Sequence, residues 1–293
     1  MIWACPICRL ALIERAGGVA CSANHQFDRA KQGYLPLLPA HHRRSASPGD
    51  GKAMLEGRRR FLQAGFYQPL ADLVAEKIAL IDTDAEPLTL LDSGCGEGYY
   101  LEQIIAKTQS LGIEILPYGF DISKDAAKLS AKSVTEASIA VASSFQLPVI
   151  DQVVDVLLRV FSPGSIEEVA RVLKLGGEFW RVVPGPRHLF ELKQALYEDV
   201  RLHELPESPE GFEPLESIAL SFVMSLASAE VIEQLLQMTP FVWHGSEQGK
   251  ARLQESSELS VTADFVLQRY RKVEREESMN RNFQFQSSGG SGA

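Results

Sequence analysis

The sequence predicts an α/β protein with a doubly wound, mostly parallel sheet, preceded by a small metal-binding module. Two observations support this prediction. From about residue 57 to residue 272, short apolar strands alternate with amphipathic helices, and one strand runs directly into a glycine-rich loop. Ahead of them, Cys5, Cys8, Cys21 and His25 form a C-x2-C-x12-C-x3-H pattern, which is typical of a zinc site.

Length and composition fit one full α/β domain plus a small module. The chain has 293 residues, of which 45% are hydrophobic and 23% are charged, so it can bury a sizeable core. No apolar run approaches the roughly 18–20 residues that span a bilayer, and the first residues lack the features of a signal peptide. We therefore expect a cytoplasmic protein with no membrane association, whose cysteines stay reduced.

Charge is distributed unevenly along the chain. The net charge is −9, yet residues 1–60 carry ten Lys or Arg against four Asp or Glu, while the remainder carries 19 against 34. A basic front on an acidic body favours an anionic partner, such as a nucleic acid, that docks at the N-terminal part. The alternative is an unevenly charged surface without such a partner.

The cysteine pattern predicts a structural zinc ion. Two turns, each carrying a pair of ligands, complete a tetrahedral site from Cys5, Cys8, Cys21 and His25. A segment of about 40 residues is not stabilised by burial alone, and metal binding supplies the missing free energy. The alternatives are three free cysteines with an unrelated histidine, or a redox pair at Cys5 and Cys8, although no βαβ pattern surrounds that pair.

Composition divides the chain into four parts. It predicts a zinc module over residues 1–40, a basic flexible linker over 41–56, the α/β domain over 57–272 and a disordered tail over 273–293. The apolar residues that follow the zinc ligands predict either a small core for the module or its contact with the α/β domain: Phe27, Tyr34, Leu35, Leu37 and Leu38.

A strand predicted at Leu88–Asp92 runs directly into the loop Ser93–Gly98, and together they read D-x-G-x-G-x-G. Gly94, Gly96 and Gly98 let the backbone turn sharply and approach a ligand without Cβ clashes. This loop is shared with dinucleotide-binding folds, so a nicotinamide-dependent enzyme is one alternative that it leaves open.

Three further features favour S-adenosylmethionine. Asp92 precedes the first glycine and can pair with the ammonium group of a methionine moiety, whereas it would repel a pyrophosphate. Asp121 ends the next strand and is placed to accept hydrogen bonds from ribose hydroxyls. Val172–Gly177 resembles the vLkpGG turn of class I methyltransferases, with Leu175 at the usual proline. These features predict the class I methyltransferase fold, in which seven mostly parallel strands include an antiparallel last strand.

Loops after two other strands complete the predicted site. Ser143 follows the strand Ile139–Ala142, where related enzymes often place an aspartate beside the adenine, so adenine binding here would rely on backbone groups. After the fourth strand, Val153–Val160, the chain reads Phe161-Ser162-Pro163-Gly164. The Pro-Pro-aromatic signature that exocyclic-amine methyltransferases favour there is missing from the sequence.

Taken together, these motifs resemble one known family, the zinc-containing bacterial 23S ribosomal RNA guanine-N1 methyltransferases. The resemblance extends from about Trp3 to Tyr270, and the motifs occur in the family's order. The matching motifs are the zinc ligands, three short matches between Phe27 and Pro39, and the segments Ala64–Leu70, Asp92–Gly98 and Pro184–Leu189. The combination is specific to this family, whereas no single motif is.

The resemblance implies transfer of a methyl group from S-adenosylmethionine to N1 of a guanine in hairpin 35 of 23S rRNA, near the exit tunnel and the macrolide site. It implies a homodimer whose two zinc modules help to form an RNA-binding cleft. Carried over residue by residue, it implies that Tyr67, Gly96, Glu97 and His188 contact the cofactor. The four predicted zinc ligands also match those of the family.

The implied reaction needs a proton acceptor, because guanine N1 carries a proton that must leave. Glu97 and His188 are the candidate acceptors, and the resemblance places both of them on the cofactor as well. In a paired stem N1 is hydrogen-bonded to cytosine, so the guanine must be unpaired or flipped out.

Two other functions remain open from the sequence. One is a class I methyltransferase that acts on a small molecule, which leaves the basic, zinc-bearing front unexplained. The other is a non-catalytic RNA-binding assembly factor that keeps a cofactor pocket. The intact loop from Asp92 to Gly98 argues against that second alternative.

Overall fold

The computed structural model describes residues 1–39, 51–81, 86–239, 241 and 246–274. Most of the predicted linker and most of the predicted tail therefore lie outside the described residues. Among the described residues, no helix is both long and apolar enough to cross a bilayer.

The N-terminal module is a small antiparallel ribbon followed by a strand that leaves it. The ribbon contains β1 (Ile13–Arg15), β2 (Gly18–Ala20) and β3 (Gln26–Asp28) in sequence order. The next strand, β4 (Leu35–Pro36), pairs in parallel with a strand of the main sheet. The module is thereby joined to the main domain by backbone hydrogen bonds.

Helices and strands alternate through the main domain, as the hydrophobic periodicity predicts. Its helices are α1 (Lys52–Gln63), α2 (Gln68–Ile78), α3 (Tyr99–Ser110), α4 (Lys124–Ser133), α5 (Ile166–Val172), α6 (Phe190–Leu196), α7 (Ala229–Gln237) and α8 (Glu247–Glu255). Its strands are β5 (Leu88–Ser93), β6 (Ile115–Asp121), β7 (Ser138–Val141), β8 (Val154–Val160), β9 (Leu173–Pro184), β10 (Phe212–Leu226) and β11 (Leu259–Lys272).

One boundary differs from the prediction. Because α1 begins at Lys52, the last five residues of the segment predicted as a linker are helical instead. The physical reason is burial, since Leu55, Phe61 and Leu62 form an apolar face on this helix. That face outweighs the polar, basic composition on which the linker prediction depended.

The main sheet has the strand order β10-β11-β9-β8-β5-β6-β7-β4. The strands β5 to β9 run parallel to one another, and β11 runs antiparallel between β9 and β10. This arrangement confirms the predicted class I fold of seven mostly parallel strands with an antiparallel last strand. The zinc module adds an eighth strand, β4, which covers the otherwise open edge of β7.

The apolar residues after the zinc ligands contact the main domain. Leu35 and Leu37 belong to one core cluster with Trp3 and with Leu91 and Phe120 of the sheet. The indole nitrogen of Trp3 also donates to Ser138 Oγ of β7 at 2.8 Å. Of the two predicted roles for these residues, contact with the α/β domain is therefore the main one.

The strand order fixes where a ligand can bind. β5 lies between β6 and β8. The strands that follow it first extend the sheet on the β6 side and then, from β8 onward, on the opposite side. In doubly wound sheets, the crevice outside the carboxyl end of such a strand is the usual ligand site. The loop that follows β5, Gly94–Gly98, lies at this crevice.

Candidate active site and zinc centre

The four predicted zinc ligands converge in the N-terminal module. Cys5 Sγ and Cys21 Sγ lie 3.5 and 3.4 Å from His25 Nδ1, and Cys8 Sγ lies 3.7 Å from Cys21 Sγ. A tetrahedral zinc ion, with bonds of about 2.3 Å to sulfur and about 2.0 Å to nitrogen, holds its ligand atoms about 3.5–3.8 Å apart. The observed separations are those of ligands around one zinc ion, so the residues fit the metal.

Two tight turns bring these ligands together. In the first, Arg9 N donates to Cys5 O at 2.8 Å, and Arg9 has a φ of 65°. In the second, Asn24 N donates to Cys21 O at 3.0 Å, and Asn24 has a φ of 64°. Each ligand pair therefore lies on a turn closed by a residue in the left-handed region, which costs free energy that metal binding offsets.

A cavity of about 610 Å³ opens at the carboxyl ends of the strands. Its lining contains these predicted cofactor-binding residues: Tyr67, Asp92, Gly94, Gly96, Glu97, Asp121 and His188. Gly98 and Ser143 do not line it. A second cavity, of about 560 Å³, lies beside α5 and the end of β11 and contains none of the predicted residues.

The three glycines of the loop after β5 have different roles. Gly96 has a φ of +57°, and a Cβ atom there would meet no atom within 4 Å, so its backbone faces open space in the cavity. Gly94 and Gly98 also have positive φ, but a Cβ atom would lie 2.2 Å from Ser162 Oγ or 2.7 Å from Ser130 Oγ. Gly96 thus admits a ligand, while the other two glycines permit close packing.

Three carboxylates lie at one end of the cavity. Asp121 is held in place, since its Oδ2 accepts from Gly96 N at 3.0 Å and its Oδ1 from Ser123 N at 2.7 Å. By contrast, Asp92 Oδ2 and Glu97 Oε1 are buried and have no hydrogen-bond partner among the described residues. Burial, together with the charges of Asp121 and Glu97, raises the pKa of Asp92 to about 8.

Such a cluster calls for a ligand that donates hydrogen bonds and carries positive charge. Burial also raises the pKa of Glu97, although the charges of Arg58 and Arg59 act in the opposite direction. An α-ammonium group, a sulfonium and ribose hydroxyls together satisfy these requirements. S-adenosylmethionine carries all three, so the residues present fit this cofactor.

Another part of the cavity lining is aromatic. His188 is 8% exposed, its Nδ1 accepts from Asp264 N at 3.3 Å, and its ring lies 4.8 Å from that of Phe265. Burial, assisted by His203 and Lys193, lowers the pKa of His188 to about 3. With Nδ1 accepting, the neutral ring carries its proton on Nε2 and presents a donor. Tyr67, also buried, lies edge-on to Phe265 at 4.9 Å.

Ser143 is placed differently from its prediction as an adenine-binding residue. Its Oγ accepts from Phe145 N at 3.2 Å, and its carbonyl accepts from Gln146 N at 3.2 Å. Its neighbours Ala142, Ser144 and Phe145 line the cavity instead. Ser143 therefore shapes the turn that carries the lining residues.

Several lining residues were missed by reasoning from the sequence. Arg58 reaches the cavity from α1, and His203 reaches it from the segment between α6 and β10. Lys193 Nζ lies 2.6 Å from His203 Nε2, behind the lining. The basic run at Arg58–Arg60 was the available signal for the first residue, whereas no pattern marks the histidine because its role depends on tertiary contacts.

Comparison with known proteins identifies the family. Residues 3–46 match the zinc-ribbon family described as RlmA, N-terminal, and residues 91–183 match a methyltransferase domain family. YxjB of Bacillus subtilis (strain 168), named as a 23S rRNA (guanine-N1)-methyltransferase, is 31% identical over 269 residues, or 89% of this chain and 93% of YxjB. The chain belongs to the 23S rRNA (guanine-N1)-methyltransferase family.

Two further relatives carry related names. A 23S rRNA (guanine-N1)-methyltransferase of Micromonospora griseorubida is 31% identical over 296 residues, covering 92% of this chain and 97% of the relative. The 23S rRNA (guanine(748)-N(1))-methyltransferase of Streptomyces fradiae is 29% identical over 256 residues, covering 85% and 88%. Membership confirms the resemblance seen in the sequence, with S-adenosylmethionine as the cofactor and zinc as the structural metal.

Proposed function

We propose that this protein transfers a methyl group from S-adenosylmethionine to N1 of a guanine in hairpin 35 of 23S rRNA, near the exit tunnel and the macrolide site. The observation that carries the proposal is the 31% identity with YxjB over 89% of this chain. The complete zinc-ligand set and the acid-lined cavity agree with it. The Streptomyces fradiae relative is named for guanine 748, which makes the equivalent nucleotide the first to test.

The residues of the cavity would hold the cofactor by complementary charge and shape. S-adenosylmethionine supplies, when bound, a methyl group on a positively charged sulfur. Asp92 would pair with the ammonium group, Asp121 would accept from the ribose hydroxyls, and Gly96 would admit close backbone approach. Tyr67 and His188 would close the aromatic side and exclude water.

Between the two candidate proton acceptors, the geometry favours Glu97 over His188. The lone pair on His188 Nδ1 is already used by Asp264 N, and a pKa of about 3 makes the ring a weak base. Glu97 Oε1 lacks a partner, and burial moves the pKa of Glu97 upwards, in the direction that suits proton exchange near neutral pH. We propose that Glu97 accepts the N1 proton, directly or through water.

Basic side chains on α1 and on the zinc module support an RNA substrate. Arg58 lines the cavity, and Arg59 and Arg60 are exposed on the same helix. Arg15 and Lys31 are exposed on the zinc module. Phosphate contacts from these groups would offset the cost of flipping the guanine.

The family resemblance also supports a homodimer in the cytoplasm, in which the two zinc modules form one RNA-binding cleft. Sedimentation of the purified protein, with and without an rRNA fragment, tests this assembly. A monomer in both samples would contradict it.

Methyl transfer to rRNA provides the direct test of the function. Labelled S-adenosylmethionine is incubated with the protein and 23S rRNA from a strain that lacks the modification, and the methylated nucleotide is then mapped. We expect one labelled guanine, methylated at N1. Labelling of small metabolites only would instead support the small-molecule alternative, and cofactor binding without any transfer would support an assembly factor.

A further inference from the structure

Two phenylalanines that line the cavity take no part in the cofactor contacts proposed above. Phe145 is 60% exposed and Phe161 is 42% exposed, and both line the cavity. They are the only exposed Phe, Tyr or Trp side chains in the part of the chain that the structure describes. Exposed rings cost hydrophobic free energy, so their position at this cavity calls for an explanation.

Phe145 projects from a tight turn. Phe145 N donates to Ser143 Oγ, and Gln146 N donates to Ser143 O, both at 3.2 Å. These bonds fix the backbone on either side of the ring. The turn therefore presents an aromatic side chain to solvent at the rim of the cavity.

Phe161 occupies a strained backbone position. Its φ is +52°, in the left-handed region that bulky side chains rarely adopt. One side of its ring is covered by His188, with centroids 6.0 Å apart and planes 23° from parallel, and by Phe265 at 5.7 Å. Strain of this kind persists where surrounding structure imposes it, most often at ligand sites.

The two loops that carry these rings are tied together. Ser165 N donates to Ser144 O at 3.1 Å, which links the loop after β8 to the loop after β7. Arg159 Nη1 donates to Gly164 O at 3.4 Å from beneath the same loop. The positions of the two rings are therefore coupled before any substrate binds.

We propose that Phe145 and Phe161 hold the flipped target guanine by aromatic stacking. The proposal rests on the proposed function and adds the residues that receive the base. The guanine lies against the open face of Phe161, beside His188, and Phe145 covers it from solvent. Stacking on aromatic side chains is the common way in which proteins hold an unstacked RNA base.

Substitutions that keep size and hydrophobicity but remove the aromatic face test the proposal. For Phe161→Leu and Phe145→Leu, we expect kcat/KM for rRNA to fall roughly 5- to 150-fold, the range that follows from the loss of one base–aromatic stack. The Kd for S-adenosylmethionine, measured by calorimetry, should stay within about 2-fold. Phe161→Tyr and Phe145→Tyr should keep most of the wild-type kcat/KM for rRNA, since tyrosine keeps the aromatic face.

An RNA fragment with an abasic nucleotide at the mapped target distinguishes stacking on the guanine from other contacts. With this fragment, wild type and Phe145→Leu should bind within about 2-fold of each other, since the stacked base is missing. Equal weakening on the intact and abasic fragments would overturn the proposal. Leu175→Ala, an exposed residue on the turn at the start of β9, is the matched control and should change neither quantity.

The outcomes separate this proposal from the proposed function. If wild type methylates no rRNA, the function itself fails. If wild type methylates rRNA and both leucine variants do so at the wild-type rate, the stacking role alone is wrong. Because the ring of Phe161 packs against that of His188, Phe161→Leu could also weaken cofactor binding. If it does, the rate and RNA affinity of Phe145→Leu alone decide whether the proposal stands.

Discussion

The zinc centre and the cofactor cavity differ in how far apart their residues lie in the sequence. The four zinc ligands occur within 21 residues and converge through two local turns. The cavity is lined by residues from Arg58 to Phe241, contributed by loops after several strands and by α1. The first site is a property of a short segment, whereas the second exists only once the sheet has formed.

The two sites differ also in what their polar groups lack. The zinc ligands present their donor atoms to one another at distances that a single ion satisfies. In the cavity, Asp92 and Glu97 are buried near a third carboxylate, and their unpartnered oxygens destabilise the protein without a ligand. Zinc binding therefore stabilises the folded module, whereas the carboxylates that favour ligand binding in the cavity destabilise the protein when no ligand is bound.

Loss of the metal should have the largest effect. Cys8→Ser should reduce bound zinc from one per chain to nearly none, and lower the free energy of unfolding by at least about 3 kcal/mol, or roughly 6–12 °C in Tm. Because β4 pairs with β7, amide hydrogen exchange should also rise in Ser138–Val141. Elemental analysis, calorimetry and exchange mass spectrometry measure these changes.

A cysteine outside the ligand set provides the control for this variant. Cys95 lies in the cofactor loop and lines the cavity, so Cys95→Ser should keep one zinc per chain. None of the described residues of the zinc module lines the cavity, so Cys8→Ser should bind S-adenosylmethionine within about 3-fold of wild type. Retention of a full zinc ion by Cys8→Ser would contradict the ligand assignment.

Blocking the cofactor loop should come next in size. In Gly96→Val, a β-branched side chain would occupy open cavity space and adopt a φ near +57°, where a side chain costs about 1–2 kcal/mol. We expect the affinity for S-adenosylmethionine to fall at least about 100-fold in calorimetry. Gly112→Val is the matched control, since Gly112 has a φ of +69° and open space but lies beyond α3. Equal affinity in both variants would show that the loop does not contact the cofactor.

How much the sequence could predict follows from the same difference between local and distant residues. The fold was predictable, because buried strands such as Leu88–Ser93 read as continuous apolar runs. The zinc ligands and most residues of the glycine loop were predictable from their spacing. The helix over Lys52–Gln63 was missed because a few buried residues outweighed a polar composition, and His203 was missed because its position depends on packing between distant segments.

Asp92→Asn should weaken the binding of S-adenosylmethionine and stabilise the protein without cofactor. A carboxylate with an ordinary pKa near 4 in the unfolded chain and about 8 in the folded one binds more protons when folded. The wild-type free energy of unfolding should therefore fall as pH rises between those values. Asparagine is neutral at every pH in this window. The free energy of unfolding of the variant should therefore rise relative to that of wild type as pH increases, by at most about 1.4 kcal/mol per pH unit.

Two measurements check these two effects. In thermal unfolding without cofactor, the stability of Asp92→Asn relative to wild type should be greater at pH 8 than at pH 5. Calorimetry should show about 10-fold weaker S-adenosylmethionine binding by the variant. Asp125→Asn removes an exposed carboxylate from the first turn of α4 and should show neither change. A stability difference independent of pH would mean that Asp92 is already ionised in the folded protein.

The smallest expected effect is the absence of a titration at His188. Burial, with the nearby His203 and Lys193, lowers the pKa of this ring to about 3, so its imidazole signals in NMR should not shift between pH 5 and pH 8. An ordinary histidine titrates within that range, with a pKa of about 6.5. A midpoint near 6.5 for His188 would mean that water enters the aromatic side of the cavity. The ring could then take up a proton at working pH, and His188 would replace Glu97 as the favoured acceptor from guanine N1.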